Sequence, residues 1–143
     1  ITGLLAENKI NLRAISIAET ADYGVLRIIA DDCEKATSVL LAGGNIINMN
    51  PVTVVAVPDK PAGLSELLSL LADSDVSIEY MYSLFTHQND KAYMVFRVKD
   101  YDNFIALLES HGLTPVSSAT LSTFAKSIFL ENCHFRIALN AFF

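Results

Sequence analysis

The chain contains an internal repeat, in which residues 4–44 match residues 70–112. The matched pairs include apolar, capping and turn positions: Leu5 with Leu71, Ile15 with Met81, Asp32 with Asp100, Leu40 with Leu108, and Gly44 with Gly112. The offset is 66 residues in the first two pairs and 68 in the last three, so a loop separates the two parts of the match. Self-similarity over this distance indicates two copies of one supersecondary unit.

The second copy has the clearer pattern of hydrophobic periodicity. Apolar residues alternate in its strand segments and recur at helical spacing in its helical segments. Asp100 is predicted to cap a helix that Gly112 ends, and Pro115 suits an edge strand. The predicted order is strand 52–57, helix 64–71, strand 76–84, strand 93–98, helix 100–112 and strand 113–118. This βαββαβ order predicts an α+β, ferredoxin-like module with an antiparallel sheet and helices on one face.

The first copy follows the same plan but lacks an opening strand. Its predicted elements are strands 11–17 and 23–30, helix 33–42 and strand 45–49. Residues 127–132 have the character of the missing strand and turn, and residues 135–143 that of the missing helix start. We therefore expect residues 1–50 plus 126–143 to form the first module and residues 51–125 the second. A permuted order, strand exchange between chains, or numbering out of biological order would each explain this, and a truncated third module is the alternative.

Composition excludes several classes of function. The net charge is −6 and the ten basic residues are scattered, whereas nucleic-acid binders need clustered cations. Apolar runs stop well short of the ~18 residues of a membrane span, and no basic leader precedes the first of them. We therefore expect a cytoplasmic protein that binds neither nucleic acid nor membrane.

Chemical motifs are equally sparse. Cys33 and Cys133 stand far apart, which fits neither a disulfide framework nor a zinc ribbon, so we expect reduced thiols. The sequence contains no nucleophile elbow, Walker loop, dinucleotide fingerprint or zinc-protease motif. We expect no metal, no cofactor and no catalysis.

Three segments carry a resemblance to a known family. These are Asp59-Lys60-Pro61-Ala62-Gly63-Leu64 after one predicted strand, Glu131-Asn132 after another, and Ile10-Asn11-Leu12 at the start of a third. In these segments the chain resembles the ACT domain, a ligand-binding regulatory module usually appended to enzymes of amino-acid metabolism. Stand-alone tandem ACT proteins are the most similar. The resemblance covers nearly the whole chain in two copies, and it implies regulation by a small ligand.

The turn after the first of these strands suits the recognition of an amino acid on physical grounds. A zwitterion needs N–H donors for its carboxylate and oxygen acceptors for its ammonium group. A glycine-containing turn that leads into a helix supplies unpaired N–H groups and a partial positive charge. The residues from Lys60 to Leu64 form such a turn.

In the family, the ligand usually lies between this turn and the next strand of a neighbouring module, where an Asn bridges both ends of the ligand. Asn132 and Asn11 match those two positions, whereas Asp59 and Ser77 occupy them in the second copy. Where the family has Pro and Gly, the first copy has residues 133–136, which hinder close backbone approach. The expected ligand-binding residues are Asn11, Leu12, Asp59, Lys60, Pro61, Ala62, Gly63, Leu64, Glu131 and Asn132.

These observations predict an amino-acid sensor in which two modules pair side by side and bind the ligand at their junction. A homodimer and a partner enzyme of amino-acid metabolism are the expected partners. One alternative is an interaction module that only dimerises, which the hydrophobic content of 52% also fits. A small-molecule enzyme on the same scaffold is the weaker alternative.

Overall fold

The computed structural model describes residues 1–19, 24–88 and 90–117. Within these ranges the chain forms helices and antiparallel sheets, which confirms the α+β class. In chain order the elements are α1 (Thr2–Glu7), β1 (Leu12–Glu19), β2 (Gly24–Ala30), α2 (Cys33–Ala42), β3 (Thr53–Pro58), α3 (Gly63–Ala72), β4 (Ile78–Gln88), β5 (Lys91–Val98) and α4 (Tyr101–Ser110). Among the helices of these ranges, none is long and apolar enough to cross a bilayer.

In the first half of the chain, β1 and β2 pair antiparallel in a two-stranded sheet. Leu26 and Ile28 of β2 project from the face of this sheet that α1 and α2 cover. Because alternate residues of a strand share a face, this pattern places both helices on one side. The helix-side core consists of Leu5, Ile10, Leu26, Ile28, Ala30, Cys33, Ala36 and Leu40.

In the second half, β3, β5 and β4 form a three-stranded antiparallel sheet in that order. The central strand β5 is buried on both faces from Tyr93 to Phe96. α3 and α4 cover one face, where Phe96 packs against Phe104 with ring centroids 5.7 Å apart. This second helix-side core contains Val55, Val57, Leu67, Leu71, Met94, Phe96, Val98, Phe104 and Leu108.

The two sheets pack against each other through the faces that carry no helices. Ala14 and Ile29 of the first sheet share a buried cluster with residues of the second: Val54, Tyr82, Leu84, Tyr93 and Val95. The expected side-by-side pairing is therefore wrong, because the sheets stack face to face. The physical reason is that both faces of each sheet carry apolar side chains, and each face must be covered.

Matching β-bulges show that the two halves are copies of one unit. Leu12 pairs with Ala30 and Ala14 with Ile29, so Arg13 is an extra residue in β1. In β4 the equivalent extra residue is Glu79, which lies between the paired residues Ile78 and Tyr80. A bulge bends a strand and increases its twist. Because the bulges occupy matched positions of the repeat, β1 and β4 bend at equivalent points.

The helix ends repeat in the same way. Asp32 and Asp100 cap α2 and α4, each accepting a backbone N–H three residues on, at 2.9 Å from Lys35 and 3.1 Å from Asn103. After these helices the residues Gly44 and Gly112 adopt the left-handed conformation, with φ of 77° and 70°. A glycine in this conformation commonly follows the last turn of a helix, because it lacks the Cβ atom that disfavours positive φ. The predicted cap at Asp100 and stop at Gly112 are confirmed.

Two predicted strands are not formed. Residues 45–49 carry no strand, because the opening strand that would pair with them is not among residues 1–50. Residues 113–117 make a single bridge, from Pro115 to Val55, supported by a 2.8 Å bond from the Val116 N–H to the Val54 carbonyl. Proline has no N–H to extend this ladder. The predicted C-terminal completion of the first module, residues 126–143, lies outside the described residues.

Candidate functional site

The turn between β3 and α3 is a tight four-residue turn. The Gly63 N–H donates to the Lys60 carbonyl at 3.0 Å. Pro61 occupies the second position, and Ala62 occupies the third with φ 73° and ψ −9°. These angles are those of a type II turn, which favours Pro at its second position and Gly at its third. The turn therefore forms with alanine at the position where glycine would carry no steric penalty.

The turn leads directly into the N-terminus of α3, where backbone donors are left over. The N-cap residue Ala62 has no side chain that could accept from them, and its carbonyl accepts the Glu66 N–H at 2.9 Å. Within the described part of the chain, the N–H groups of Leu64 and Ser65 donate to no acceptor. Two adjacent donors at the positive end of a helix dipole form a site that favours an anion.

The charged residues of the turn are solvent-exposed. Lys60 Nζ lies 3.9 Å from Glu66 Oε1, and both side chains are more than half exposed, so this pair is a weak surface ion pair. The Asp59 N–H donates to the Asp90 carbonyl at 2.8 Å. This bond ties the turn to the connection between β4 and β5, and it holds the start of the loop in place.

Asn11 and Leu12 lie at the start of β1. Two bonds join Asn11 to Asp31: the Asn11 N–H donates to Asp31 Oδ1, and the Asp31 N–H donates to the Asn11 carbonyl, each at 3.0 Å. Asp31 Oδ2 also lies 3.8 Å from Arg13 Nη2. The backbone of Asn11 is thus already engaged, whereas Leu12 packs against the first helix-side core. Only the exposed side chain of Asn11 is left for a ligand.

The structure does not bring all the predicted residues together. No hydrogen bond, ion pair or ring contact within the described ranges joins Asn11 or Leu12 to the turn from Asp59 to Leu64. Glu131 and Asn132 lie outside the described residues. Ser65 was not among the predicted site residues, although the position of the helix start indicates that the third helical residue keeps a free N–H.

A second polar group lies between the sheets. Arg27 projects from β2 over Tyr80 of β4, with its Cζ atom 4.2 Å from the ring centroid. Tyr80 and Tyr82 stack with centroids 6.2 Å apart. Burial raises the pKa of both tyrosines, and the nearby Arg27 charge opposes this effect. Both tyrosines line the sheet face, as their alternation predicts.

The described residues contain no group of His, Cys, Asp and Glu that could hold a metal ion. The geometry therefore offers backbone donors, a surface ion pair and a buried polar cluster.

Comparison with known proteins agrees with the duplicated architecture. The crystal structure of protein BT0572 from Bacteroides thetaiotaomicron is similar, with 35% sequence identity and a TM-score of 0.74, and the match covers 84% of this chain and 82% of that one. No curated protein matches the chain significantly. The ACT domain pair family, whose members are of a regulatory, ligand-binding type, matches residues 1–125. The resemblance found in the sequence is confirmed, and the chain belongs to the ACT domain pair family.

Proposed function

We propose that this protein is an amino-acid sensor whose ligand binds where the turn between β3 and α3 meets the helix. The observation that carries the proposal is the pair of unoccupied N–H groups on Leu64 and Ser65. They suit the carboxylate of an amino acid, because a carboxylate accepts several hydrogen bonds and is favoured at the start of a helix.

The surroundings of the turn support a zwitterion over a simple anion. Asp59 and Lys60 place one charge of each sign beside the free donors, and both residues are exposed. The ten-residue length of α3 gives its dipole several aligned peptide units. In this proposal Asn11 and Asn132 contact the ligand through their side-chain amides at a junction between modules. Leu12, Pro61, Ala62, Gly63 and Glu131 shape the site.

The experiment is calorimetric titration with the twenty amino acids, using two variants of one residue. Ser65→Pro removes the N–H at the third helical position, whereas Ser65→Ala keeps it and removes only the exposed hydroxyl. We expect binding of at least one amino acid to the natural chain and to Ser65→Ala. In Ser65→Pro we expect affinity about ten-fold weaker, the effect of losing one bond to a charged group. Absence of heat with every amino acid would contradict the proposal.

We also propose that the halves are two ferredoxin-like modules, 1–50 plus 126–143 and 51–125. The support is that β2 pairs only with β1 among the described residues, which leaves its other edge for one more strand. Deleting residues 126–143 should then speed hydrogen exchange of the β2 amides, Gly24–Ala30, while leaving those of β5 unchanged. Equal protection of β2 in both chains would contradict this completion.

Regulation implies partners, which we propose to be a second copy of the chain and an enzyme of amino-acid metabolism in the cytoplasm. The proposal assigns no catalysis to the chain itself. A dimerisation module without a ligand is a second candidate, favoured by large apolar side chains that are exposed on the described surface: Ile17 at 68%, Ile46 at 63% and Phe85 at 60%. Light scattering with and without amino acids separates these two candidates. The oligomeric state of a pure dimerisation module does not change when amino acids are added, whereas that of the sensor does.

A further inference from the structure

The polar cluster between the sheets has no part in the amino-acid site proposed above. It consists of Arg27 on β2 and of Tyr80 and Tyr82 on β4, so each half of the chain contributes to it. Leu67 and Leu71 of α3 pack on the opposite face of the second sheet. The sheet therefore separates the cluster from the helix that carries the free N–H donors.

Three polar atoms of this cluster are buried and have no hydrogen-bond partner of good geometry among the described residues: Arg27 Nε, Tyr80 Oη and Tyr82 Oη. The Arg27 guanidinium also interacts with the Tyr80 hydroxyl and opposes the effect of burial on its pKa, whereas it makes no hydrogen bond to Tyr82. Tyr82 is only 9% exposed, and the other two side chains are half-buried. Buried polar groups in folded proteins nearly always have a partner, because an unmade bond is costly. Arg27 Nε can only donate and the two hydroxyls can donate as well, so an acceptor is the one kind of partner that suits all three atoms.

The charges around the cluster favour a negative acceptor. Glu79 and Arg97 lie nearby and neutralise each other, with Arg97 Nε 3.1 Å from Glu79 Oε2. Within the described part of the chain, Arg27 pairs with no carboxylate. Among the described residues the cluster therefore has one positive charge without a carboxylate partner, and a partly buried charge is stabilised by an ion of opposite sign.

We propose that Arg27, Tyr80 and Tyr82 form a binding site for a small carboxylate between the two sheets. The Tyr80 ring supports the guanidinium group from one side, so the edge of the group stays available for hydrogen bonds. The carboxylate oxygens accept from Arg27 Nε and from the two hydroxyls. Arg27 and Tyr80 are partly exposed and form the outer side of the site, and Tyr82 is its most buried residue. Such a ligand joins residues of both halves.

Acetate titration of the full chain at constant ionic strength, balanced with chloride, tests the proposal. Tyrosine fluorescence can report on the site, because the chain has no tryptophan and two of its five tyrosines belong to the cluster. We expect a saturable change in the natural chain and about ten-fold weaker binding in Tyr82→Phe and Arg27→Gln, since each loses a bond to the anion. Tyr101→Phe is the control, because Tyr101 is 57% exposed on α4.

Tyr82→Phe keeps the ring and removes an unpaired hydroxyl, so its melting temperature should not fall. This variant decides the matter even if Arg27→Gln does not fold. Unchanged acetate affinity in Tyr82→Phe, or no response when acetate replaces chloride, would overturn the carboxylate site. Ser65→Pro separates it from the amino-acid site, since acetate affinity should survive that substitution. Loss of acetate binding in Ser65→Pro would assign the ligand to α3 and overturn the inference.

Discussion

The α-carbon of Gly63 lies directly against the carbonyl oxygen of Pro58, so closely that a Cβ atom at this position would overlap that oxygen. Pro58 is the last residue of β3 and Gly63 the first of α3. Their contact sets how tightly the helix start is held against the end of the strand. The free N–H groups of Leu64 and Ser65 follow directly after this contact in the first turn of α3.

Gly63→Ala is therefore expected to lower the free energy of unfolding by about 1–3 kcal/mol, because backbone must move to admit the methyl group. Gly3→Ala is the matched control, since Gly3 lies in α1 with open space around it. It should raise the free energy of unfolding by about 0.5–1 kcal/mol through helix propensity. Urea unfolding measures both, and equal signs would contradict the role of the Pro58 contact.

Ala62→Gly should not destabilise the protein, and we expect a gain of about 0.5 kcal/mol. Ala62 has φ 73°, where a Cβ atom costs about 1–2 kcal/mol, and the greater freedom of glycine in the unfolded chain offsets part of the gain. Ala106→Gly is the control, because Ala106 is exposed within α4. That variant should lose about 1 kcal/mol. Thermal unfolding measures both variants. An equal fall in melting temperature for Ala62→Gly and Ala106→Gly would disprove the strain at Ala62.

Asp32→Ala and Asp100→Ala should each cost about 1 kcal/mol of stability, because each removes the side chain that caps a helix. Asp32→Asn and Asp100→Asn should keep most of the stability, since the amide oxygen can accept the same N–H. Chemical denaturation followed by circular dichroism measures these changes. Equal losses of stability in the Ala and Asn variants would show that the negative charge, and not the cap hydrogen bond, stabilises these helices.

Alkaline pH should destabilise the protein through its buried tyrosines. Burial holds the pKa of Tyr80 and Tyr82 above the usual value of about 10. Above that pH the unfolded chain loses these protons and the folded chain keeps them, so the free energy of unfolding falls as pH rises. The stabilisation is complete below pH about 10 and is lost towards the folded-state pKa.

The double variant Tyr80→Phe/Tyr82→Phe should make this pH dependence shallower, whereas Tyr101→Phe should leave it nearly unchanged because Tyr101 is exposed. Unfolding curves at several pH values measure the slope. Ultraviolet difference absorbance shows at which pH tyrosinate forms in the folded protein. Identical slopes in the natural chain and the double variant would show that burial of these hydroxyls does not matter.

Helix and strand types could be predicted from periodicity, because that signal is local. The range predicted for α2 is the observed Cys33–Ala42, and β5 extends from Lys91 where the prediction began at Tyr93. The strand predicted at 45–49 does not form because it has no partner among the described residues, whereas residues 113–117 lie beside β3 but make a single bridge, at Pro115. An edge strand exists only if a partner offers a ladder, and local sequence does not show whether that partner is present.

The amino-acid sequence alone determined that the chain is a duplicated α+β unit of the ACT type, since repeat, periodicity and caps such as Asp32 and Asp100 are encoded locally. Only the tertiary structure decided that the sheets stack face to face, that Gly63 serves a close contact while Ala62 takes the positive φ, and that Arg27 lies over Tyr80. The stacking and the position of Arg27 depend on residues far apart in sequence, whose contacts arise only when both sheets cover their remaining apolar faces. The roles of Gly63 and Ala62 depend on how the helix start lies against the end of β3, which the residue types of the turn do not specify.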